Sequence, residues 1–334
     1  MFRKLDSIVL SFIIISFLFS GNTLAQNTLP RMMFGDTTRI GVPFTKDPHV
    51  IKFGNRYLMY YTIPAKKAIG GGSGWSIAIA ESKNLVDWKR INDVNFTKAP
   101  LFAAEQNGIC APCALVIKGK VHLFYQTYGN GAKDAICHAV SSDGLTFDQN
   151  PTNPIFRASG SWNCGRAIDV EITKFKGKYF LYFATRDPKY QQQIMGVATA
   201  PINTNFNRET WTQISNEPIL KLEYPWEGNC TEGASIIHRN GKLYMFYAAN
   251  YNNAPQQIGV AESADGINWK KCFDKPFLAN GKKGTWNSSE SGHPHIFDNG
   301  KTSFLFYQGN NDNGKTWLLS NVEVFWSKNG PSLK

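Results

Sequence analysis

The sequence lacks an apolar run long enough to cross a bilayer. Its most apolar stretch, from Ile8 to Phe19, is well short of the roughly 20 residues that a spanning helix needs. Two basic residues precede this stretch and Thr23-Leu24-Ala25 follows it, which is the order of a secretory signal peptide. We therefore expect residues 1–25 to be a signal peptide. The mature chain from Gln26 is expected to be exported to the periplasm or the extracellular space, without membrane insertion.

The sequence also lacks long runs of basic residues and any nucleic-acid-binding motif, although its formal net charge is +11. A basic balance favours anionic partners, but scattered Lys and Arg fit a generally basic surface better than a dedicated polyanion site. We therefore expect no nucleic-acid partner. A sulfated or uronic-acid glycan stays open as a ligand.

Cysteine is sparse, and its spacing does not indicate a metal site. Of six cysteines, Cys110 and Cys113 form a C-x-x-C, but no second such pair and no histidine pair at zinc spacing accompanies them. We therefore expect neither a structural zinc site nor a redox centre. An exported chain permits disulfides, and the pairing of the six cysteines stays open.

The chain contains an internal repeat. Five segments share a turn glycine followed by a strand rich in aromatic, β-branched or leucine residues: 54–61, 119–125, 177–183, 241–247 and 300–307. Successive glycines lie 65, 58, 64 and 59 residues apart, and no helical period competes. Short strands at this spacing predict an all-β fold, a single five-bladed β-propeller over residues 26–334 with four antiparallel strands per blade. In the last repeat, 317–319 and 322–326 are predicted as separate closing strands.

Ionisable residues recur just upstream of the repeat glycines. In a propeller the innermost strand of each blade lines the central channel, so residues at its start are expected at the channel mouth. These positions hold Asp47, Asp169, Glu232 and His293 in four repeats, and Cys113 in the second. Three acids in one recurrent position predict a shared catalytic pocket.

These segments resemble glycoside hydrolase family 43 and its relatives in clan F, along the whole mature chain. The motifs that carry the resemblance are Asp47-Pro48, Ala111-Pro112, Ile168-Asp169, Glu232-Gly233 and Gly292-His293, with a departure at Cys113. The resemblance implies that Asp47 is the general base, Glu232 the general acid, and Asp169 a pKa modulator and orienter. It implies that His293 helps to hold a central metal ion, such as calcium, or its waters. No cofactor is expected to be required.

The position of the acids in different blades predicts how the chemistry would proceed. Carboxyl groups about 6.5–9.5 Å apart leave room for a water and invert, whereas about 5–5.5 Å retains. Carboxylates from different blades suit the wider range, so we predict inversion. Glu232 is expected to stay protonated because a nearby ionised Asp169 opposes its ionisation.

Several further residues are candidates for binding or support. Four tryptophans in loops near these segments are each either a sugar platform or a loop anchor: Trp75, Trp162, Trp226 and Trp286. Arg166, Arg186 and His49 could contact substrate, although Arg186 has a neighbouring acid in Asp187. Glu171 competes with Asp169, since both face the same side of a strand. His293 is either a metal-site or a structural histidine, and the supporting acids near the mouth are Glu227 and Glu290.

The sequence therefore predicts a monomeric glycosidase acting on plant or algal oligosaccharides. Arabinofuranosides, xylosides and galactans are the substrates that the resemblance implies. Two alternatives stay open: a glycoside phosphorylase, which would use phosphate in place of water, and a catalytically inactive glycan-binding propeller.

Overall fold

A computed structural model describes residues 31–66, 74–98 and 103–333 of the chain. The predicted signal peptide, residues 1–25, lies outside the described residues. In the described part of the chain the helical elements are short 3-10 turns at Ala103–Asn107, Gly131–Lys133, Arg208–Thr210 and Pro225–Glu227. No described helix is long and apolar enough to cross a membrane.

The strands form five sheets in sequence order, and each sheet is one blade. The first blade contains β1 (Lys46–Phe53), β2 (Arg56–Pro64), β3 (Trp75–Ser82) and β4 (Lys89–Asp93). The second contains β6 (Ile109–Ile117), β7 (Lys120–Thr127), β8 (Ile136–Ser141) and β9 (Thr146–Gln149), with a further short strand, β5 (Asn95–Phe96), parallel to β9. The third contains β10 (Ile168–Phe175), β11 (Lys178–Arg186), β12 (Gln193–Pro201) and β13 (Thr212–Gln213).

The last two blades complete the ring. The fourth contains β14 (Thr231–Arg239), β15 (Lys242–Ala249), β16 (Gln257–Ser263) and β17 (Lys270–Lys271). The fifth contains β18 (Glu290–Asp298), β19 (Ser303–Asn310), β20 (Leu318–Ser327) and β21 (Gly330–Leu333). The first strands of neighbouring blades contact one another, and β18 contacts β1. The predicted five-bladed propeller is confirmed.

The prediction of two separate closing strands in 317–326 is wrong. Residues 318–327 form one continuous strand, β20, because they pair without interruption along β19, from Gly309 opposite Leu318 to Ser303 opposite Val324. The outermost strand is β21, which pairs back onto β20.

Aromatic and aliphatic side chains fill the spaces between blades, as the aromatic-rich repeats predict. Five buried clusters each join two neighbouring blades. Tyr60 and Tyr182 are fully buried, and each phenol donates a hydrogen bond to a turn carbonyl of the next blade, Gly144 at 2.8 Å and Gly266 at 2.9 Å. Each such ring contributes about 1.5–3 kcal/mol by burial, and its hydroxyl is satisfied.

The innermost strand of every blade contains a β-bulge at the same place. The pairing register shifts between Lys46 and His49 in β1, and at the corresponding residues of the other four inner strands. The first bulge residue has a positive φ in all five blades: Asp47, Ala111, Asp169, Gly233 and His293. Bulges re-aim side chains next to active sites, and here they turn five equivalent positions toward the channel.

Candidate active site

The bulges bring the predicted catalytic residues to the central channel. Asp47, Asp169 and His293 occupy equivalent bulge positions in blades one, three and five, and all three line the same cavity. Glu232 does not share their position, since it precedes the bulge of its own blade, whose first residue is Gly233. Its carboxyl group nevertheless reaches the same pocket.

His293 lies between two of the carboxylates. Its Nε2 is 3.2 Å from Glu232 Oε1, and its Nδ1 is 3.2 Å from Asp47 Oδ1. Ligand atoms of Asp169, Glu232 and His293 also lie within 4.8 Å of one another. Residues from four parts of the chain, up to about 250 positions apart, therefore form one cluster.

Two glutamines that sequence reasoning missed hold the Glu232 carboxylate. Gln256 Nε2 donates to Oε1 at 2.7 Å, and Gln193 Nε2 donates to Oε2. Both amides are almost completely buried. Buried glutamine is uncommon, so its burial is a signal of function, but burial is not legible in the sequence.

Charge in this cluster differs from the expected arrangement. Burial disfavours a charged His293, but Asp47 and Glu232 outweigh it and raise the pKa of the imidazole to about 10. Burial also disfavours the charged form of Glu232 and so acts to raise its pKa. The hydrogen bond and charge of His293 outweigh burial and lower this pKa below its ordinary value. Burial and the Glu232 charge raise the pKa of Asp169 to about 7. As pH rises toward neutral, the carboxyl proton of the site is therefore held longer on Asp169 than on Glu232.

Side chains of the preceding blade hold the bulges in place. Gln126 Oε1 accepts the backbone N–H of Asp169 at 2.6 Å, and Gln308 Oε1 accepts that of Asp47 at 2.9 Å. Thr62 Oγ1 accepts the N–H of Ala111 in the same way, at 2.9 Å. Gln126, Gln308 and Thr62 occupy the same position on the second strand of their blades, opposite the residue that precedes the bulge. Blades three and four have alanine at this position. A polar residue at that point of the repeat is the signal that could have found them.

The pocket opens at the mouth into a cleft of about 290 Å³. Trp75 lines this cleft and packs against Tyr128, with ring centroids 6.4 Å apart. Arg166 also lines it, where it pairs with Asp134 at 3.3 Å. Arg186 lies across the cleft with its guanidinium 5.3 Å from the ring of Tyr251. These aromatic and cationic groups surround the carboxylates.

Among the described residues, three of the four predicted tryptophan platforms lie outside this cleft and anchor blades instead. Trp162 packs in the core of blade three near Phe183, with ring centroids 6.4 Å apart. Trp226 donates its indole N–H to Asp274 O at 3.1 Å, and Trp286 packs on Tyr307. Each of these three rings has a protein contact that fits the loop-anchor alternative, and none of them lines the cleft.

His49 and Glu171 also lie away from the mouth, and neither lines the cleft there. Both side chains are buried one layer deeper in the channel, two residues beyond the bulge residue of their strands. His49 Nε2 hydrogen-bonds Ala114 O at 2.9 Å, so its ring is committed to the next blade. Asp169, not Glu171, is therefore the acid of blade three that reaches the mouth.

The two remaining acids are supports. Glu227 is fully buried, where it accepts the Tyr247 hydroxyl at 2.8 Å and pairs with Lys271 at 2.6 Å. Glu290 accepts the amide of Gln308 at 2.7 Å, so it fixes the side chain that holds the Asp47 bulge.

The cluster offers suitable donors for the calcium ion that the resemblance implies. Calcium takes oxygen ligands, and Asp169 and Glu232 supply carboxylates beside His293. Such an ion would offset the negative charge of the pocket. In the structure described here the His293 imidazolium offsets that charge.

Comparison with known proteins identifies the family. The model of glycosyl hydrolases family 43 matches residues 40–330. The chain belongs to this family. Family 43 membership makes the chain a glycosidase with a carbohydrate substrate, and the four residues of the channel cluster lie within the matched region.

Solved structures share the fold of this family 43 glycosidase. A thermostable family 43 glycoside hydrolase aligns with a TM-score of 0.68 and 20% identity, over 87% of this chain and 92% of that chain. An endo-1,4-β-xylanase from Bacteroides thetaiotaomicron aligns at 0.64 and 22%, over 87% and 94%. An α-L-arabinofuranosidase from Lactobacillus brevis aligns at 0.62 and 16%, also over 87% and 94%. A search of curated proteins found no match.

Proposed function

We propose that this glycosidase hydrolyses arabinofuranosyl or xylosyl bonds in oligosaccharides from plant polysaccharides, with inversion of the anomeric centre. The observation that carries the proposal is the convergence of Asp47, Asp169, Glu232 and His293 in one channel pocket. The titles of the xylanase and arabinofuranosidase with the same fold support the two sugar classes. Galactans are a further class to screen.

In this proposal Asp47 is the base that activates water and Glu232 is the acid that protonates the leaving oxygen. Support for inversion comes from the His293 ring, which contacts one carboxylate through each nitrogen. A ring between two carboxylates favours the wider separation that admits a water.

The proton for Glu232 would come from the pair that it forms with Asp169. Two close carboxyl groups titrate as a pair and share one proton. A substrate whose leaving oxygen enters beside Glu232 would displace the imidazole of His293 from that carboxylate, and Glu232, once protonated, would donate its proton to the leaving oxygen. Loss of the His293 bond removes the contact that holds Glu232 ionised, so the proton can move from Asp169 to Glu232.

Activity assays on arabino- and xylo-oligosaccharides test the function. We expect Asp47→Asn, Asp169→Asn and Glu232→Gln each to lower turnover by about 10²–10⁴-fold, since positioned acid–base groups contribute about that much. Glu323→Gln, an exposed change on β20, should keep full activity. NMR should show the inverted anomer first.

Activated aryl glycosides separate the roles of the two acids. Their leaving group departs without protonation, so Glu232→Gln should regain much of its rate on them while Asp47→Asn should not. Rescue of Asp169→Asn in place of Glu232→Gln would make Asp169 the acid. A strict requirement for phosphate would replace hydrolysis with phosphorolysis, and full activity in all three variants would remove the cluster from catalysis.

We also propose that the mature enzyme is exported and monomeric, with no required cofactor. The sequence pattern of residues 1–25 supports export. Amino-terminal sequencing of the exported protein would test export, its mass by light scattering would test the monomeric state, and full activity after exhaustive chelation would test the cofactor statement.

A further inference from the structure

A second ring of side chains lies one layer below the catalytic residues. It consists of the residue two positions after each first bulge residue: His49, Cys113, Glu171, Ser235 and His295. All five are buried. The bulge residues and the other four members of this ring line a narrow central cavity of about 30 Å³, whereas Cys113 lies in the core between blades two and three.

Each side chain of this ring hydrogen-bonds the backbone of a neighbouring blade. His49 bonds Ala114 O, and His295 bonds Val50 O at 3.0 Å. Backbone N–H groups of the next blade donate to the other three, from Ile172 to Cys113, from Ile236 to Glu171 and from Ile296 to Ser235. The five bonds form a closed belt around the channel, so the ring has a structural role in its own right.

The hydrogen bonds of the belt leave three atoms that could each bind a metal ion, and these atoms lie close together. Because Nε2 of His49 must carry a proton to reach a carbonyl, its Nδ1 retains a lone pair. Glu171 receives the Ile236 N–H on Oε1, at 2.9 Å, which leaves Oε2. Oε2 lies 3.4 Å from Cys113 Sγ and 4.0 Å from His49 Nδ1. The three donors lie within 4.8 Å of one another.

We propose that His49, Cys113 and Glu171 bind a zinc ion in the channel below the catalytic residues. Imidazole, thiolate and carboxylate are the ligands that zinc takes in a four-coordinate site, and a thiolate disfavours calcium or magnesium. The fourth position opens on the cavity and is left for a water. The site differs in ligands and depth from the cluster of Asp169, Glu232 and His293 above it.

The belt already supplies the outer contacts that such a site needs. Outer hydrogen bonds orient metal ligands and fix the histidine tautomer, and each ligand here has one. The thiol of Cys113 loses its proton to solvent as the metal–sulfur bond forms. Because the ligands come from blades one, two and three, the ion would join three blades and stabilise the folded state.

Cobalt and zinc loading test the proposal on the purified enzyme. After a chelator treatment, protein reloaded with Co²⁺ should show a near-ultraviolet thiolate-to-cobalt absorption band, and protein reloaded with Zn²⁺ should retain one ion per chain through dialysis. Cys113→Ser should abolish the band and lower zinc affinity by more than about 100-fold, since loss of an outer partner alone costs about 10–100-fold.

Two variants serve as matched controls. Cys110→Ser changes a buried thiol on the same strand, three residues away and beside the catalytic cluster, and should keep the band. Asp169→Asn changes the cluster at the channel mouth and should keep the cobalt band too.

Glu171→Gln is a second test variant. It preserves the acceptor for the Ile236 N–H, so it should fold and lower zinc affinity even if Cys113→Ser does not fold. Zinc should raise the unfolding temperature of the native enzyme and of Cys110→Ser.

Three outcomes would overturn the proposal: a wild-type protein that retains no zinc and shows no cobalt band, a band that survives Cys113→Ser, or unchanged zinc affinity in Glu171→Gln. None of these three outcomes depends on glycosidase activity, so failure here leaves the proposed reaction standing.

Discussion

At the residue scale, His293 decides the charge of its neighbours. Its position 3.2 Å from both Asp47 and Glu232 makes it a cation that holds Glu232 ionised. Asp169 lacks such a contact, and its pKa is raised by burial and by the charge of Glu232. The two acids therefore have the opposite protonation order to the one expected from sequence.

This order leads to a pH prediction. The acid must be protonated to act, and the raised pKa of Asp169, about 7, keeps the shared proton bound up to that pH. Activity should therefore fall as pH rises through about 7, whereas a carboxyl with the ordinary value of 3.8 would lose its proton far lower. The measurement is kcat/KM against pH on an unactivated substrate.

In Asp169→Asn the alkaline limb of this profile should move to lower pH. The variant removes the like charge and the shared proton, so the acid then depends on Glu232 alone, whose pKa His293 holds below its ordinary value despite burial. An alkaline limb that stays in place would show that the Asp169–Glu232 pair does not set it.

At the element scale, the bulge repeated in the inner strands is what places the site. Without a bulge, residues alternate between the two faces of a strand, and Asp47 and His49 would share one. The bulge lets Asp47 reach the catalytic cluster while His49 bonds the next blade. Non-glycine residues at positive φ cost about 1–3 kcal/mol and cluster at functional sites, as Asp47, Asp169 and His293 do.

Gly233 offers a test of the bulge. Its φ is +57°, and a Cβ there would lie 3.2 Å from His293 Nδ1. Gly233→Ala should therefore displace His293 and lower kcat, in addition to a stability loss of about 1–2 kcal/mol from the left-handed backbone. Steady-state kinetics and urea unfolding measure the two effects.

Gly241→Ala is the matched control. Gly241 has a φ of +78° and open space around its Cβ position, so the variant should lose similar stability and keep its kcat. Equal kcat losses in the two variants would mean that backbone strain, not the contact with His293, disturbs the site.

At the scale of the whole molecule, the ring is closed by the segment before the first blade. Phe34 pairs with Leu319 of β20, and Ser320 Oγ donates to Met32 O at 2.7 Å. Met32 is fully buried in the cluster that joins blades five and one. A chain of five blades needs such a contact because its first and last blades are the most distant in sequence.

Met32→Ala should destabilise the fold by about 2–5 kcal/mol, the usual cost of truncating a buried methionine. Urea unfolding followed by tryptophan fluorescence measures the change. Ile40→Ala, at a side chain that is 49% exposed in the same segment, should change stability by less than about 0.5 kcal/mol. Equal losses would contradict closure through Met32.

Much of this architecture can be predicted from the sequence because it depends on short segments of neighbouring residues. Glycine turns and aromatic strands recur in the chain, so the blade count and inner strands follow from the repeat. The offset of Glu232 by one residue is not legible, because it depends on where the pairing register shifts in β14. The short strand β5 was missed for a similar reason, since it forms only against β9 of the next blade.

The sequence by itself determined the family, the propeller and the acids that reach the channel, since each depends on short motifs in a fixed order. Only the tertiary structure decided which tryptophan faces the cleft, where the proton rests and which donors meet below the site. These properties depend on distances between side chains of different blades, and those distances exist only once the ring has closed.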